Sequence, residues 1–236
     1  MIEAFVTNLG RYNEGHMDGE YLRLPATTEE VQTLLSRIKV DGIMYEEVFI
    51  TDYKTDISGL VSHLGEHVSI DELNYLATLL DDMDKWDIEK FEAAIVSGEH
   101  VGSVQDLINL TQNLDGYEYY PGVESYEDLG RYLINELDYE KIPDHLVDYF
   151  DYESYAEDYV INEDGTFFNG GFVFRNSVGF EEHYTGREDM PDEHKIFAYP
   201  KPETSIQKAL ANFQQMINEA PAALSPENLT PAKAER

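Results

Sequence analysis

The stretch EYLRLPATTEEVQTLLSRIKVDGIMYEEVFITDY, Glu20 to Tyr53, decides the fold class. Its ends, EYLRL (20–24) and YEEVFITDY (45–53), have the alternating pattern of half-buried strands. Between them, Thr27-x-x-Glu30 has the spacing of a capping box, in which the two side chains satisfy free backbone N–H groups at a helix start. Val31, Leu34, Leu35 and Ile38 follow at helical intervals and give that helix one apolar face. IEAFVTN (2–8) alternates in the same way and adds a strand before them, joined through the glycines of NLGRYNEGHMDGE. NLGRYNEG (8–15) is either a binding loop or turn geometry, and turn geometry is the simpler account of its glycines. Residues 1–62 therefore read as a small α+β domain.

Working onward, GEHVSIDEL (65–73) and GEHVGSVQDL (98–107) echo each other weakly, and each holds a capping box, Ser69-x-x-Glu72 and Ser103-x-x-Asp106. Leu73, Leu76, Ala77 and Leu80 make one apolar stripe, and Val104, Leu107 and Ile108 another. Asp87 is expected to cap a shorter helix through Ile88, Phe91 and Ile95, with Trp86 in the preceding turn. Residues 63–114 thus form a helical domain. Ser125-x-x-Asp128 opens a helix whose buried face is Leu129, Tyr132, Leu133 and Leu137, and Pro143 starts another. YVINEDGTFF and GGFVFR are expected as strands around a turn at Asp164–Gly165, so residues 115–175 are an acidic α+β domain. Residues 176–236 read as an extension: loop, a linker at YPKPE (199–203), a helix opened by Thr204-x-x-Gln207, and a disordered tail from Ala220.

Charge limits the function. The 236 residues hold 48 acids against 16 Lys+Arg, a formal charge of -32. Phosphate contacts need Lys and Arg, so direct nucleic-acid binding is excluded. No apolar run approaches the roughly 20 residues that cross a bilayer, so no membrane partner is expected. With no cysteine and no leader-like N-terminus, a cytoplasmic protein is expected. The charge is also uneven. Residues 199–236 carry four acids and four bases, whereas 115–164 carry sixteen acids against Arg131 and Lys141. Adaptation to salt should have made the tail acidic as well.

The densest run is DYEKIPDHLVDYFDYESYAEDYV, Asp138 to Val160. On one helix from Pro143, Asp144, Asp148 and Asp151 would share an arc of roughly 60°, opposite Leu146, Tyr149 and Phe150. That places one charge per about 5 Å of axis, the order of one phosphate per about 3.4 Å along a DNA strand. The exposed acids then imitate the field of a nucleic acid. The surface set is Asp115, Glu118, Glu124, Glu127, Asp128, Glu136, Asp138, Glu140, Asp144, Asp148, Asp151, Glu153, Glu157 and Asp158. Chemical sites do not emerge. DDMDKWDIEKFE fails as a calcium loop: counted from Asp82, its sixth position is Asp87 where glycine is needed. His63 and His67 lack a third ligand, and no phosphate loop or catalytic triad is present, so no cofactor, metal or catalytic residue is assigned.

FVTNLGRYNEG, FITDYK, SIDELNYLATLL, YEDLGRYLINEL, IPDHLVDYFDYESYAEDY and GTFFNGGFVF, spread in order over residues 2–175, resemble the ArdA antirestriction proteins. The resemblance implies an elongated homodimer of three small domains per chain, with an acidic surface that mimics bent B-form DNA. It implies a non-enzymatic inhibitor that occupies the DNA-binding groove of type I restriction–modification enzymes, blocking cleavage and in many members methylation. It also aligns Leu129–Tyr139, LGRYLINELDY, with the family's antirestriction motif near the dimer contact. By that match Leu129, Tyr132, Leu133 and Leu137 belong either to the dimer interface or to the core of their own domain. A different class stays open beside the mimic: an acidic interaction module or hydrolase whose charge serves solubility or cation binding.

Overall fold

A computed structural model of the chain describes residues 1–168, 170–201, 210 and 213–215. Residues Met1–Pro200 form one compact unit and Lys201–Arg236 a second, so the boundary falls within the stretch read as a linker. The fold is α+β with two three-stranded antiparallel sheets.

The first unit begins with β1 (Ile2–Asn8), α1 (Leu9–Asn13), β2 (Gly19–Leu24), α2 (Thr28–Arg37) and β3 (Val48–Thr55), with the strands in the order β2-β1-β3. Ile2, Ala4 and Val6 alternate into the core and join Val31, Leu34, Leu35 and Ile38 of the α2 region in one apolar cluster. The capping box closes both ways: Glu30 N donates to Thr27 Oγ1 at 3.3 Å, and Thr27 N donates to Glu30 Oε2 at 2.8 Å. The glycine-rich connection after β1 contains the short α1 and is tied internally. Arg11 Nε donates to Asp18 Oδ2 at 2.8 Å, and Asn8 Nδ2 donates to the Ile38 and Lys39 carbonyls at 3.0 and 3.1 Å.

Three helices follow, α3 (Ile70–Asp81), α4 (Lys85–Ser97) and α5 (Val104–Thr111). Two local expectations change. α4 begins at Lys85 with Asp84 as its cap, accepting from Asp87 N at 2.9 Å, so Trp86 lies in the first helical turn and Asp87 is not the cap. Either aspartate could cap a helix here. Asp84 wins because capping from that position extends the helix by a turn. Ser69 precedes α3 without a side-chain capping bond, and Glu72 instead accepts the Tyr184 hydroxyl at 3.0 Å. Packing does not divide these helices from the first sheet, since the same buried cluster continues through Leu73, Leu76, Phe91 and Leu107 to Tyr117.

The second sheet has the order β4-β6-β5, from β4 (Tyr117–Pro121), β5 (Thr166–Phe168) and β6 (Gly171–Arg175), with α6 (Tyr126–Asn135) and α7 (Tyr152–Glu163) between β4 and β5. The helix expected from Pro143 is instead a 3-10 segment, Asp144–Tyr149, and α7 starts only at Tyr152. Asp151 is the reason. Its side chain accepts from Ser154 N at 3.1 Å, which makes it an N-cap and breaks the run. Asp144, Asp148 and Asp151 therefore do not share a helical face. Likewise YVINE belongs to α7, which ends at Asp164 in left-handed conformation, and the β5–β6 turn lies beyond Phe168.

Residues 176–200 do not hang free as an extension. They fold back along α3 and α5, held by two asparagines one helical turn apart. Asn109 Oδ1 accepts from His183 N and Tyr184 N, both at 2.8 Å, while its Nδ2 donates to the Tyr184 carbonyl at 2.7 Å. Asn113 pairs in the same two-way manner with the backbone of Glu181, at 2.8 and 2.9 Å. Buried Asp71 completes the strap, accepting from Arg187 Nε at 3.0 Å and Phe197 N at 2.7 Å. The helix expected over 204–218 and the tail beyond it lie outside the described residues, apart from Leu210 and residues 213–215, which are helical.

Candidate functional site

α6 and α7 are the supports on which the acids of the second sheet region stand. They approach closely because α6 carries Gly130: a Cβ there would lie 2.0 Å from the Tyr152 carbonyl oxygen. Arg131, next in sequence, lies over the Tyr152 ring at 4.5 Å and pairs with Glu127 at 2.8 Å. Gly130 and Arg131, the second and third residues of LGRYLINELDY, thus act as a joint between two helices.

All fourteen acids of the surface set have exposed side chains. They are spread over several elements rather than one helix. Asp115 lies in a 3-10 turn before β4, and Glu118 on β4 itself. Glu127 and Asp128 occupy the first turn of α6, and Glu136 its C-cap. Asp144 and Asp148 lie in the 3-10 segment, Asp151 caps α7, and Glu153, Glu157 and Asp158 are within it. Glu124, Asp138 and Glu140 are in the connecting loops. Among the described residues, Glu127 is the only one of the fourteen in an ion pair. Acids at a helix N-terminus are stabilised by the backbone dipole, but Glu136, Glu163 and Asp164 stand at C-termini that have no basic residue in the last turn. Part of this charge is therefore placed against local stability.

The tyrosines of the same region supply no compensating cation. Burial above all pushes the Tyr120 hydroxyl up to about 12. Tyr159 is raised further, by burial first and then by the neighbouring hydroxyls of Tyr139 and Tyr120. These groups stay neutral and pack the region, with Tyr120 and Tyr132 rings 4.8 Å apart.

Of the four motif residues with two possible roles, Leu129 and Leu133 are fully buried in the core of their own chain, with Tyr120, Phe172 and Phe174. Tyr132 is half-buried against that core and Leu137 is exposed. Leu129 and Leu133 therefore serve the core, which suits a helix whose joint at Gly130 must be closely packed. Tyr139, Leu146, Val147 and Tyr149, which follow Leu137 in sequence, are exposed as well. The expected helix had assigned Leu146 and Tyr149 to a packed face; both are exposed.

The acidic surface also extends beyond the fourteen. Asp82, Asp87 and Asp115 line an open hollow of about 420 Å³ together with Leu79, Met83 and Leu114. The signal was available, since residues 63–114 hold eleven acids against Lys85 and Lys90. Among the described residues no group of three or more His, Asp or Glu is placed to hold a metal ion, and no helix is long and apolar enough to cross a membrane.

Residues 4–174 match the family model described as Antirestriction protein (ArdA). No curated protein matches the chain.

Proposed function

The chain belongs to the ArdA family of antirestriction proteins, and from that premise we propose that it acts as a mimic of duplex DNA which occupies the DNA-binding groove of type I restriction–modification enzymes. The carrying observation is the set of fourteen exposed acids, of which, among the described residues, Glu127 alone is ion-paired. An ordinary helical surface interleaves lysine with glutamate and gains a few tenths of a kcal/mol per pair. A surface that forgoes this projects a net anionic field, which steers a cationic cleft toward it. Binding then needs no chemistry from the chain. The protein inhibits by occupancy, in the cytoplasm where the enzyme works, and blocks cleavage and with it methylation.

A homodimer fits this reading. The exposed side chains Leu137 and Tyr139 at the end of the aligned antirestriction motif, and Leu146, Val147 and Tyr149 soon after it in sequence, offer apolar area that a second copy would cover.

The test is titration of the purified protein into a type I restriction–modification reaction at several salt concentrations. Inhibition is expected near stoichiometric amounts, and should weaken steeply with salt, as phosphate contacts do. Cleavage that persists at large molar excess would leave an acidic module serving solubility as the better account. Because the field is summed, Asp148→Asn alone should change little, while neutralising a dozen acids together should abolish inhibition.

A further inference from the structure

The loop after α2 holds two apolar side chains in water with more care than a connection needs. Ile43 is 81% exposed and Met44 59%. The Asp41 carboxylate accepts from three successive backbone N–H groups, of Ile43, Met44 and Tyr45, at 2.9, 2.8 and 3.1 Å. The N–H groups of Asp41 and Gly42 in turn donate to the Tyr45 carbonyl, both at 3.1 Å. Gly42 has φ +72° and packs against the Tyr199 ring, where a Cβ would meet ring carbon at 2.6 Å. The Tyr199 hydroxyl donates to the Glu46 carbonyl at 3.0 Å. On the other side the Tyr45 ring rests on Gly10, and its hydroxyl donates to Glu14 at 3.0 Å. The loop is thus fastened from within and from both sides, and what it presents is Ile43 and Met44.

We propose that Ile43 and Met44 form a pre-ordered apolar anchor that seats in an apolar recess rimmed by Lys and Arg in the DNA-binding groove of the restriction–modification enzyme; this rests on the proposed function. Charge complementarity selects this occupant. Glu46 and Glu47 flank the tip, exposed and without ion-pair partners among the described residues. A surface that covers Ile43 and Met44 must therefore meet Glu46 and Glu47 with cations. A cleft that reads duplex DNA has the matching chemistry, since it meets phosphates with cations and thymine methyl groups with apolar side chains. A loop already ordered loses little conformational freedom on binding, so the anchor's apolar contact goes largely into affinity.

The experiment uses the full chain with Ile43→Ser and Met44→Ser together, which leaves every charge in place. Binding to a purified type I restriction–modification enzyme is measured across a salt series, with thermal midpoint and oligomeric state measured in parallel. A loss of about tenfold to a hundredfold in affinity is expected at every salt concentration, with the salt slope unchanged. Val61→Ser with Val178→Ser, at two other exposed apolar positions, should bind like the wild type. Affinity within twofold of wild type, or equal loss in the valine pair, would overturn the anchor and leave the mimic standing. A changed oligomeric state would overturn it in favour of a second copy. Wild-type protein that fails to bind at all would remove the mimic and the anchor with it.

Discussion

Replacing Glu157 and Glu163 by lysine should make this chain more stable and a weaker inhibitor. Helix α7, YESYAEDYVINE, carries Glu153, Glu157, Asp158 and Glu163 and no base. Glu153 and Glu157 are four residues apart, and like charges so placed oppose the helix by about 0.2–0.5 kcal/mol. Glu157→Lys turns that repulsion into an attraction of similar size, in the favoured order with the acid N-terminal, a swing of roughly 0.5–1 kcal/mol. Glu163 is the last helical residue, where a carboxylate faces unpaired carbonyls. Reversing its sign is worth roughly another 0.5–1 kcal/mol for an exposed site at low salt. The sum, about 1–2 kcal/mol, corresponds to roughly 2–8 °C in thermal midpoint for a chain of this size. Calorimetry at about 20 mM and about 500 mM NaCl tests the cause as well as the size, because a Debye length of about 4 Å at the higher salt should erase most of the gain. The same protein, four charges less negative, should need more copies to inhibit a type I enzyme. An unchanged or lower midpoint at low salt, or a gain that ignores salt, would show that the acids of α7 are not opposing its stability.

Three further outcomes follow from particular contacts. For Asp41, burial disfavours ionisation, but the N–H groups of Ile43, Tyr45 and Met44 outweigh it and hold its carboxyl below the ordinary aspartate range. A depressed folded value gives stability that is present above the unfolded aspartate value near 4 and lost as pH falls through the lower folded one. The midpoint difference between wild type and Asp41→Ala should therefore be constant from about pH 7 to 5 and shrink as pH falls below about 4. Asn109→Ala removes the partner of the His183 and Tyr184 amides and the Tyr184 carbonyl, so it should cost about 2 kcal/mol or more and speed hydrogen exchange at those amides. Gly130→Ala sets a methyl against the Tyr152 carbonyl oxygen, and should lower stability by about 1–3 kcal/mol in denaturant unfolding.

How much of this was legible depends on how locally each feature is decided. β1 and α2 were read nearly to the residue, because alternation and a reciprocal capping box involve neighbours in sequence. Errors arose where two residues compete for one role. Asp84 and Asp87 could each cap α4, and Asp151 could lie on a helical face or end the run by capping α7. The exposed acids were read correctly as exposed while their arrangement was not, since burial follows residue type but a shared face follows backbone path. β4 escaped notice because YEYYP is short and ends in proline, and its burial depends on pairing with β6 more than fifty residues away. The strap was invisible for the same reason. Asn109 and Asn113 look like ordinary polar residues of a helix until the segment they hold is placed beside them.

That strap bears on how so charged a chain stays folded. Mutual repulsion among fixed anions opposes compaction, and the acids themselves cannot be paired away if their field is to reach another protein. Compensation must then come from groups that carry no net charge. The strap supplies such groups: Tyr184, Met190 and Ile196 are buried, and amide side chains satisfy its backbone. Its ion pairs involve none of the fourteen exposed acids: Arg187 meets buried Asp71, and Lys195 meets Asp192. Residues 176–200 lie beyond the family match at 4–174 yet belong to the same compact unit. Removing Lys201–Arg236 should therefore spare both folding and inhibition, whereas a cut after Arg175 would take from Asp71 both Arg187 and the Phe197 N–H, take from Asn109 and Asn113 their strap partners, and remove the buried Tyr184, Met190 and Ile196, which should destabilise the helices beneath. Inhibition that survived the second cut undiminished would show that the strap is dispensable and that the repulsion is met elsewhere.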